Sequence, residues 1–302
     1  MNPDGDLEIK GTRKKLGRWG AVLLLFPVLL SGWFLFCVPR PLFPESCSSV
    51  IESSSGQLAG ARIASDGQWR FPAPDSIPAR FESCLLAFED NWFYRHPGIK
   101  PFSLVRAVVQ NSRSGRIVSG GSTLTMQVAR MARPGRKRNI ASKLTEMIWA
   151  LNLEMRFPKR EILSMYVSHA PFGGNVVGME AASWRYYQRP PHLLSWAESA
   201  TLAVLPNAPS LIYPGRNNDL LTAKRNRLLD RLCSKGIIDS LTTELSKKEP
   251  VPDAVYRMPD LCRHLMNLAV RESPGKRIRT TLDEELQRQV NEIGRASCRE
   301  RV

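Results

Sequence analysis

The sequence predicts a mainly α fold with a small β-hairpin element and one N-terminal transmembrane helix. Three observations carry that expectation. Apolar residues recur at helical spacing through 81–88, 122–132, 140–155, 161–167, 195–205 and 224–232. Turn signals at Ser55-Gly56 and Asp66-Gly67 punctuate a stretch of short strands, 46–75. Residues 21–38, AVLLLFPVLLSGWFLFCV, carry no charge over a length just sufficient to span a hydrocarbon core.

Taken in order, residues 1–20 form a basic tail. Lys10, Arg13, Lys14, Lys15 and Arg18 precede the apolar run, so the tail stays in the cytoplasm and everything after Arg40 lies outside. The sequence that follows the run, VPRPLFPES, is bulky and Pro-rich and offers no small-residue cleavage site, which favours a retained anchor over a signal peptide. The hairpin element of 46–75 comes next, and a helical body begins near Pro78. Within it, Ser195 and Glu198 have the spacing of a capping box for SWAESATLAVL. After Cys233 the chain turns charged and Pro-broken (SKKEPVPDAVYRMPD), so 236–275 is expected to be a weakly structured linker. KRIRTTLDEELQRQV (276–290) starts something new.

The composition fits a globular body with an anionic partner. Among 302 residues, 43 Lys and Arg face 28 Asp and Glu, a net charge of +15. A hydrophobic content of 43% excludes a disordered chain. Nucleic acid is disfavoured, because no zinc spacing, recognition-helix pattern or aromatic platform accompanies the charge and the topology puts it outside the membrane. Phosphate-linked lipids and wall polymers are the anions met there. The six cysteines show neither metal-site nor framework spacing, leaving room for one disulfide among Cys84, Cys233 and Cys262.

Three stretches carry chemistry. In FEDNWFYRHPGIKP (88–101), Glu89 and Asp90 end an apolar run, and His96 and a Pro-Gly break follow. Either these carboxylates neutralise a basic protein or one of them moves a proton. In SGGSTLTMQVARMARPGRKR (119–138), Gly120 and Gly121 allow close backbone approach and Ser122 or Thr123 can cap a helix. Free N–H groups at such a helix start bind phosphate oxygens. Arg130, Arg133, Arg136, Lys137 and Arg138 follow closely. In NIASKLTEMIWALNLEMRF (139–157), Lys143 and Glu146 share one face of an amphipathic helix. Each string alone also has a bland reading, as surface carboxylates, an ordinary helix cap, or an ion pair of about 0.2–0.5 kcal/mol.

Together and in order, the strings resemble one family. EDNWFYRHPG (89–98) is similar to the E-D-x-x-F-x-x-H-x-G motif of the family 51 glycosyltransferases, the peptidoglycan polymerases. GGSTLTMQ (120–127) resembles their G-x-S-T-[LI]-T-x-Q motif, and KLTEMIWALNLE (143–154) their K-x-x-E-x-x-x-A-x-x-x-E motif. KREILSMYVS (159–168) resembles the fourth motif and KRNRLL (224–229) the weaker fifth, so the likeness covers 45–235. APFGGNVVGMEAASWRYYQRPP (170–191) and LAVLPNAPS (202–210) look most like the 1C type of the class A penicillin-binding proteins. Two positions depart from the motifs: Ser168 stands where Asn is usual, and Met126 replaces a common amide residue.

The resemblance implies a lysozyme-like helical glycosyltransferase domain that joins lipid-linked disaccharide–peptide units (lipid II) into β-1,4 glycan strands, with inversion and release of undecaprenyl diphosphate. It implies Glu89 as the general base and Glu146 as a second glutamate that orients cations or a divalent ion. Asp90, His96, Ser122, Gln127, Arg130, Arg138 and Lys143 match positions that meet the substrate. No cofactor is certain, and a divalent cation (Mg or Mn) at the diphosphate is left open. The implied partners are lipid II, the nascent strand, the membrane and other cell-wall synthesis proteins, with no nucleic acid. The implied location is the bacterial inner membrane, with the catalytic domain on its outer face. A lytic transglycosylase and a non-enzymatic anchored scaffold are the rival readings.

The C-terminal stretch 276–290 resembles the entry to the penicillin-binding transpeptidase domain of bifunctional relatives, and 276–293 is read as the start of that region. The S-x-x-K string at Ser273–Lys276 has no S-x-N or K-T-G partner, so transpeptidase activity is not expected. GRASCRERV (294–302) resembles translated read-through of a sequencing adapter and is read as a foreign tail.

Overall fold

The computed structural model describes residues 29, 31–101, 106, 121–135 and 139–299. The chain divides into two units, 1–43 and 44–302. In the first, residues 31–36 are helical, while 21–28 and 30 of the expected membrane-spanning run lie outside the described residues. No helix among the described residues is long and apolar enough to cross a membrane.

The second unit is mainly helical with two small sheets. Its strands are β1 (Ser49–Glu52), β2 (Leu58–Arg62), β3 (Trp69–Arg70), β4 (Pro171–Gly173), β5 (Val176–Val177) and β6 (Arg277–Arg279). Its helices are α1 (Ala79–Glu89), α2 (Leu124–Met131), α3 (Ile140–Arg156), α4 (Lys159–His169), α5 (Met179–Tyr187), α6 (Trp196–Val204), α7 (Asn218–Ser234), α8 (Ser240–Lys248), α9 (Arg263–Glu272) and α10 (Glu284–Arg299). Every window with helical apolar spacing holds a helix: α1, α2, α3, α4, α6 and α7. The capping box forms as expected. Ser195 Oγ accepts from the Glu198 amide at 3.1 Å, and Glu198 Oε2 accepts from the Ser195 amide at 2.9 Å.

Two layers of helices position the site. Buried α6 runs under α1 and α7, with Ala200, Leu202 and Ala203 fully enclosed. Alongside, α2 lies on both α3 and α4, burying Leu124, Met126 and Val128. Arg225, 1% exposed, donates to the carbonyls of Glu249 (2.6 Å) and Lys247 (3.0 Å), which closes the C-terminus of α8 against α7.

The expected hairpin is present, with β1 antiparallel to β2 and Gly56 at φ 78° in the turn. β3 belongs instead to a second sheet, parallel to β5, whose other edge is β4. The 236–275 stretch is not a plain linker. It forms α8 and α9, and α9 lays Met266 and Ala269 on Ile51 and Ala59 of the hairpin. Gly60 makes room for this contact, since a Cβ there would stand 3.2 Å from Met266 Cε. Cys84, Cys233 and Cys262 are all free, so the disulfide considered among them does not form.

The 276–290 stretch is also part of this body. β6 adds to the hairpin in parallel, Ile278 beside Ile51. Arg277 bonds Glu52 of β1 and reaches both oxygens of Glu180 on α5 (2.9 and 2.6 Å), tying sheet to helix. Breaking such a largely buried pair leaves carboxylates without a cation. Arg277→Ala should therefore cost about 3 kcal/mol, the low end of the usual range, because Arg279 still reaches Glu52 at 3.3 Å. A urea-midpoint shift worth less than about 1 kcal/mol, no more than a surface pair supplies, would show the clamp to be inert.

Candidate active site

Glu89 is the last residue of α1. The helix stops there because Asp90 leaves helical geometry (φ −155°, ψ 78°) and a short 3-10 turn, Phe93–Arg95, follows. Glu89 Oε2 accepts from Gln127 Nε2 at 2.7 Å. Its Oε1 is sealed from solvent and has no protein partner among the described residues. Burial raises the Glu89 pKa, the Gln127 hydrogen bond opposes that, and the neighbouring Asp90 charge adds to the rise. A carboxylate with one oxygen committed and the other unpartnered is equipped to take a proton.

Gln127 and Arg130 lie three residues apart on α2, hence on one face. That face joins the carboxylate to a cation centre. Arg130 Nε and Nη2 donate to Glu146 Oε1 (2.8 Å) and Oε2 (3.0 Å), a bidentate pair. Arg130 Nη2 also reaches Ser122 Oγ at 3.3 Å, and Lys143 Nζ bonds the same hydroxyl. Lys143 stands 3.8 Å from Glu146 on the adjoining turn of α3. Glu146 is 8% exposed, whereas the side chains of Arg130 and Lys143 are about a third open to solvent. Burial lowers the Lys143 pKa against the pull of Glu146, and the Glu146 hydrogen bond raises that of Arg130. Glu146 thus orients the cations, and the cations face outward.

Asp90 and His96, expected at the substrate, are spent on the protein itself. Asp90 is 2% exposed and accepts from His96 Nε2 (2.9 Å), from Lys100 Nζ, and from the Leu124 amide that starts α2 (3.1 Å). Burial pushes the Asp90 pKa up, but the His96 and Lys100 bonds outweigh it and the net shift is downward. The Gly98 amide donates to His96 Nδ1 at 3.1 Å, which assigns the ring proton to Nε2. Both side chains are thus tied into the turn that follows α1. Two of the expected free N–H groups at the start of α2 are likewise used: Leu124 by Asp90, at 3.1 Å, and Met126 by Thr123 Oγ1 at 3.2 Å. Gly98 has to be glycine, at φ +85° with a Cβ only 2.8 Å from Glu154 Cγ and 2.9 Å from the Ala150 carbonyl.

Of the other expected residues, Arg138 lies outside the described residues, as do Arg136 and Lys137. Arg133 stacks 5.1 Å from the centre of the Trp149 ring instead of joining the cation centre. Ser168 is 6% exposed, and its hydroxyl has no hydrogen-bond partner among the described residues. Lys224 was missed as a site residue. Its charge acts on Glu89, and it donates to Asn207 Oδ1 at 3.2 Å. The only sign of it was its place at the head of the KRNRLL string.

A transglycosylase family model matches residues 57–233, more than half of the 302 residues. Penicillin-binding protein 1C of Escherichia coli (strain K12) is 40% identical over 256 residues, covering 84% of this chain and 33% of that protein. Penicillin-binding protein 1A of Pseudomonas aeruginosa is 35% identical over 272 residues, covering 85% of this chain and 32% of the relative. A crystal structure of penicillin-binding protein 1A from Haemophilus influenzae aligns with a TM-score of 0.40 at 18% identity, covering 80% of this chain and 28% of that one. The chain spans about a third of the length of the curated relatives it matches. With its carboxylate and cation centre inside the matched stretch, the chain belongs to the transglycosylase family.

Proposed function

We propose that the protein is a peptidoglycan glycosyltransferase that polymerises lipid II. The observation that carries this is the shared face of α2, which puts a proton acceptor, Glu89, beside two outward-facing cations, Arg130 and Lys143. The 4-hydroxyl of an acceptor sugar attacks C1 of the donor and its proton goes to Glu89. The C1–O bond to the diphosphate breaks as the new glycosidic bond forms, so a single displacement inverts C1. Negative charge grows on the departing diphosphate, where fixed cations stabilise it. The raised Glu89 pKa makes it a stronger proton acceptor than an ordinary carboxylate, as a general base requires. The lysozyme-like description of the domain belongs to this reading.

The divalent cation left open by the family likeness finds no ready donor set here. Both Glu146 oxygens are taken by Arg130, and no cluster of three His, Cys, Asp or Glu forms among the described residues. Two fixed cations beside Glu146 also disfavour a third. No step is routed through a metal.

The substrate's polyprenyl tail places the reaction at a membrane surface. The reading therefore includes residues 21–38 as a single-pass anchor and the catalytic unit on the outer face of the cytoplasmic membrane. A lytic transglycosylase would have no use for the Arg130–Lys143 pair. The experiment is incubation of the detergent-solubilised protein with labelled lipid II. Polyprenyl-linked oligomers are expected. Anhydro-sugars released from purified wall, with no oligomers from lipid II, would overturn the polymerase in favour of the lytic enzyme.

A further inference from the structure

Glu154 and Lys159 form an ion pair that the chemistry above does not use. Lys159 opens α4, Glu154 lies in the last turn of α3, and Nζ meets Oε1 at 2.7 Å. The pair is largely enclosed, with side-chain exposures of 19% and 10%. A buried pair is weak evidence for stability, because apolar residues of similar size serve that purpose as well. What sets this pair apart is what else its atoms hold.

Lys159 Nζ also donates to the His96 carbonyl at 2.7 Å and stands 4.5 Å from the centre of the Phe93 ring. Glu154 Oε1 accepts a second bond, 2.5 Å from Thr125 Oγ1 on α2. The Gly98 backbone rests on the Glu154 side chain so closely that a Cβ would collide with Cγ. The Gly98 carbonyl in turn accepts from Thr123 Oγ1 at 2.5 Å. Three helices, α2, α3 and α4, therefore grip one turn, 93–98, through two ionic side chains. The other end of that turn is His96 on Asp90, the residue after Glu89.

We propose that Glu154 and Lys159 are positioning residues for the proposed reaction, a buried strut that fixes the 93–98 turn and through it the location of the Glu89 carboxylate. Neither group touches substrate. The directional bonds to a backbone carbonyl and a hydroxyl set the turn's place in a way apolar packing would not. This rests on Glu89 being the base. A displacement of about 1 Å in a reacting group can cost about 10²-fold, and that is the scale expected here.

The test compares Lys159→Met, Lys159→Arg and Thr125→Val with wild type in lipid II polymerisation and in amide hydrogen exchange over residues 93–98. Lys159→Met keeps the stem over Phe93 and loses both polar bonds. Its kcat should fall about 10²-fold with KM changed by less than about threefold, the signature of a misplaced group rather than a damaged binding site. Lys159→Arg can still reach Glu154, the His96 carbonyl and the Phe93 face, so most of the activity should return. Exchange at 93–98 should quicken in Lys159→Met and not in Lys159→Arg. Should Lys159→Met fail to fold, Thr125→Val decides: it is uncharged, close in shape, removes only the bond to Glu154, and should lower kcat by at least about threefold, roughly one weakened hydrogen bond. A folded Lys159→Met with wild-type kcat and wild-type exchange would overturn the strut. So would activity lost only in proportion to the unfolded fraction. Quickened exchange in Lys159→Met alongside an inert wild type would sink the polymerase reading and leave the strut standing.

Discussion

Glu89→Gln should abolish polymerisation, by about 10²–10⁴-fold, the usual contribution of a general base. Binding of lipid II should hardly change. The amide keeps the shape of the carboxyl group, and its oxygen can still accept from Gln127 as Glu89 Oε2 does at 2.7 Å. What it loses is the ability to take a proton. Stability should move the other way. Burial, opposed by Gln127 and assisted by Asp90, holds the Glu89 pKa above its ordinary value of 4.5. An acid with a raised folded pKa favours the fold below its unfolded pKa and loses that contribution as pH rises through the folded pKa. At neutral pH the charged carboxylate is thus a liability that Gln removes. The urea midpoint of Glu89→Gln at pH 7 should equal or exceed that of wild type, while wild-type polymerisation should fall on acidification through a pKa above 4.5. A variant that polymerises within about tenfold of wild type would fall short of general-base magnitudes and remove the assignment.

The parts of this architecture that were legible in the sequence are those where one physical signal dominates. Amphipathic spacing located α1, α2, α3, α4, α6 and α7, and the Ser195–Glu198 box marked the start of α6. α5 escaped because it is enclosed on most sides: Met179, Ala181, Ala182, Ser183, Trp184 and Tyr186 are all buried, so no polar face gives it a period. α9 carried a readable pattern in Leu265, Met266, Ala269 and Val270, but its ten residues sit in a charged, Pro-flanked stretch whose composition resembles a linker. β6 could not be read locally, because a three-residue strand gains its meaning from pairing with β1 more than two hundred residues away. In the site, residue types with spacing on one helix were legible, such as Lys143 with Glu146. Which polar atoms remain free was not. Asp90 and His96, expected at the substrate from the motif alone, also hold bonds to Lys100, Leu124 and Gly98 that no local spacing announces. The outcome for each depended on contacts from three separate elements.

Arg130→Met should lower kcat by about 10²–10³-fold, the range seen when one donor to a developing anion is removed. The fall should exceed any rise in KM, since charge on the diphosphate grows toward the transition state. Arg130→Lys should recover only part of the loss. A single ammonium cannot reproduce the two bonds to Glu146 (2.8 and 3.0 Å) while reaching Ser122. Part of the damage in Arg130→Met is indirect. Glu146, 8% exposed, would be left with Lys143, now 3.8 Å away, as its only neighbouring cation among the described residues and would draw it off Ser122 and away from the diphosphate. Neutralising that carboxylate should release Lys143. The double variant Arg130→Met/Glu146→Gln is therefore expected to polymerise faster than Arg130→Met alone, a non-additivity that follows from one carboxylate serving two cations. If the double variant is instead slower by the product of the two single losses, Glu146 acts in the reaction independently of Arg130 and Lys143, and its role as their holder is wrong.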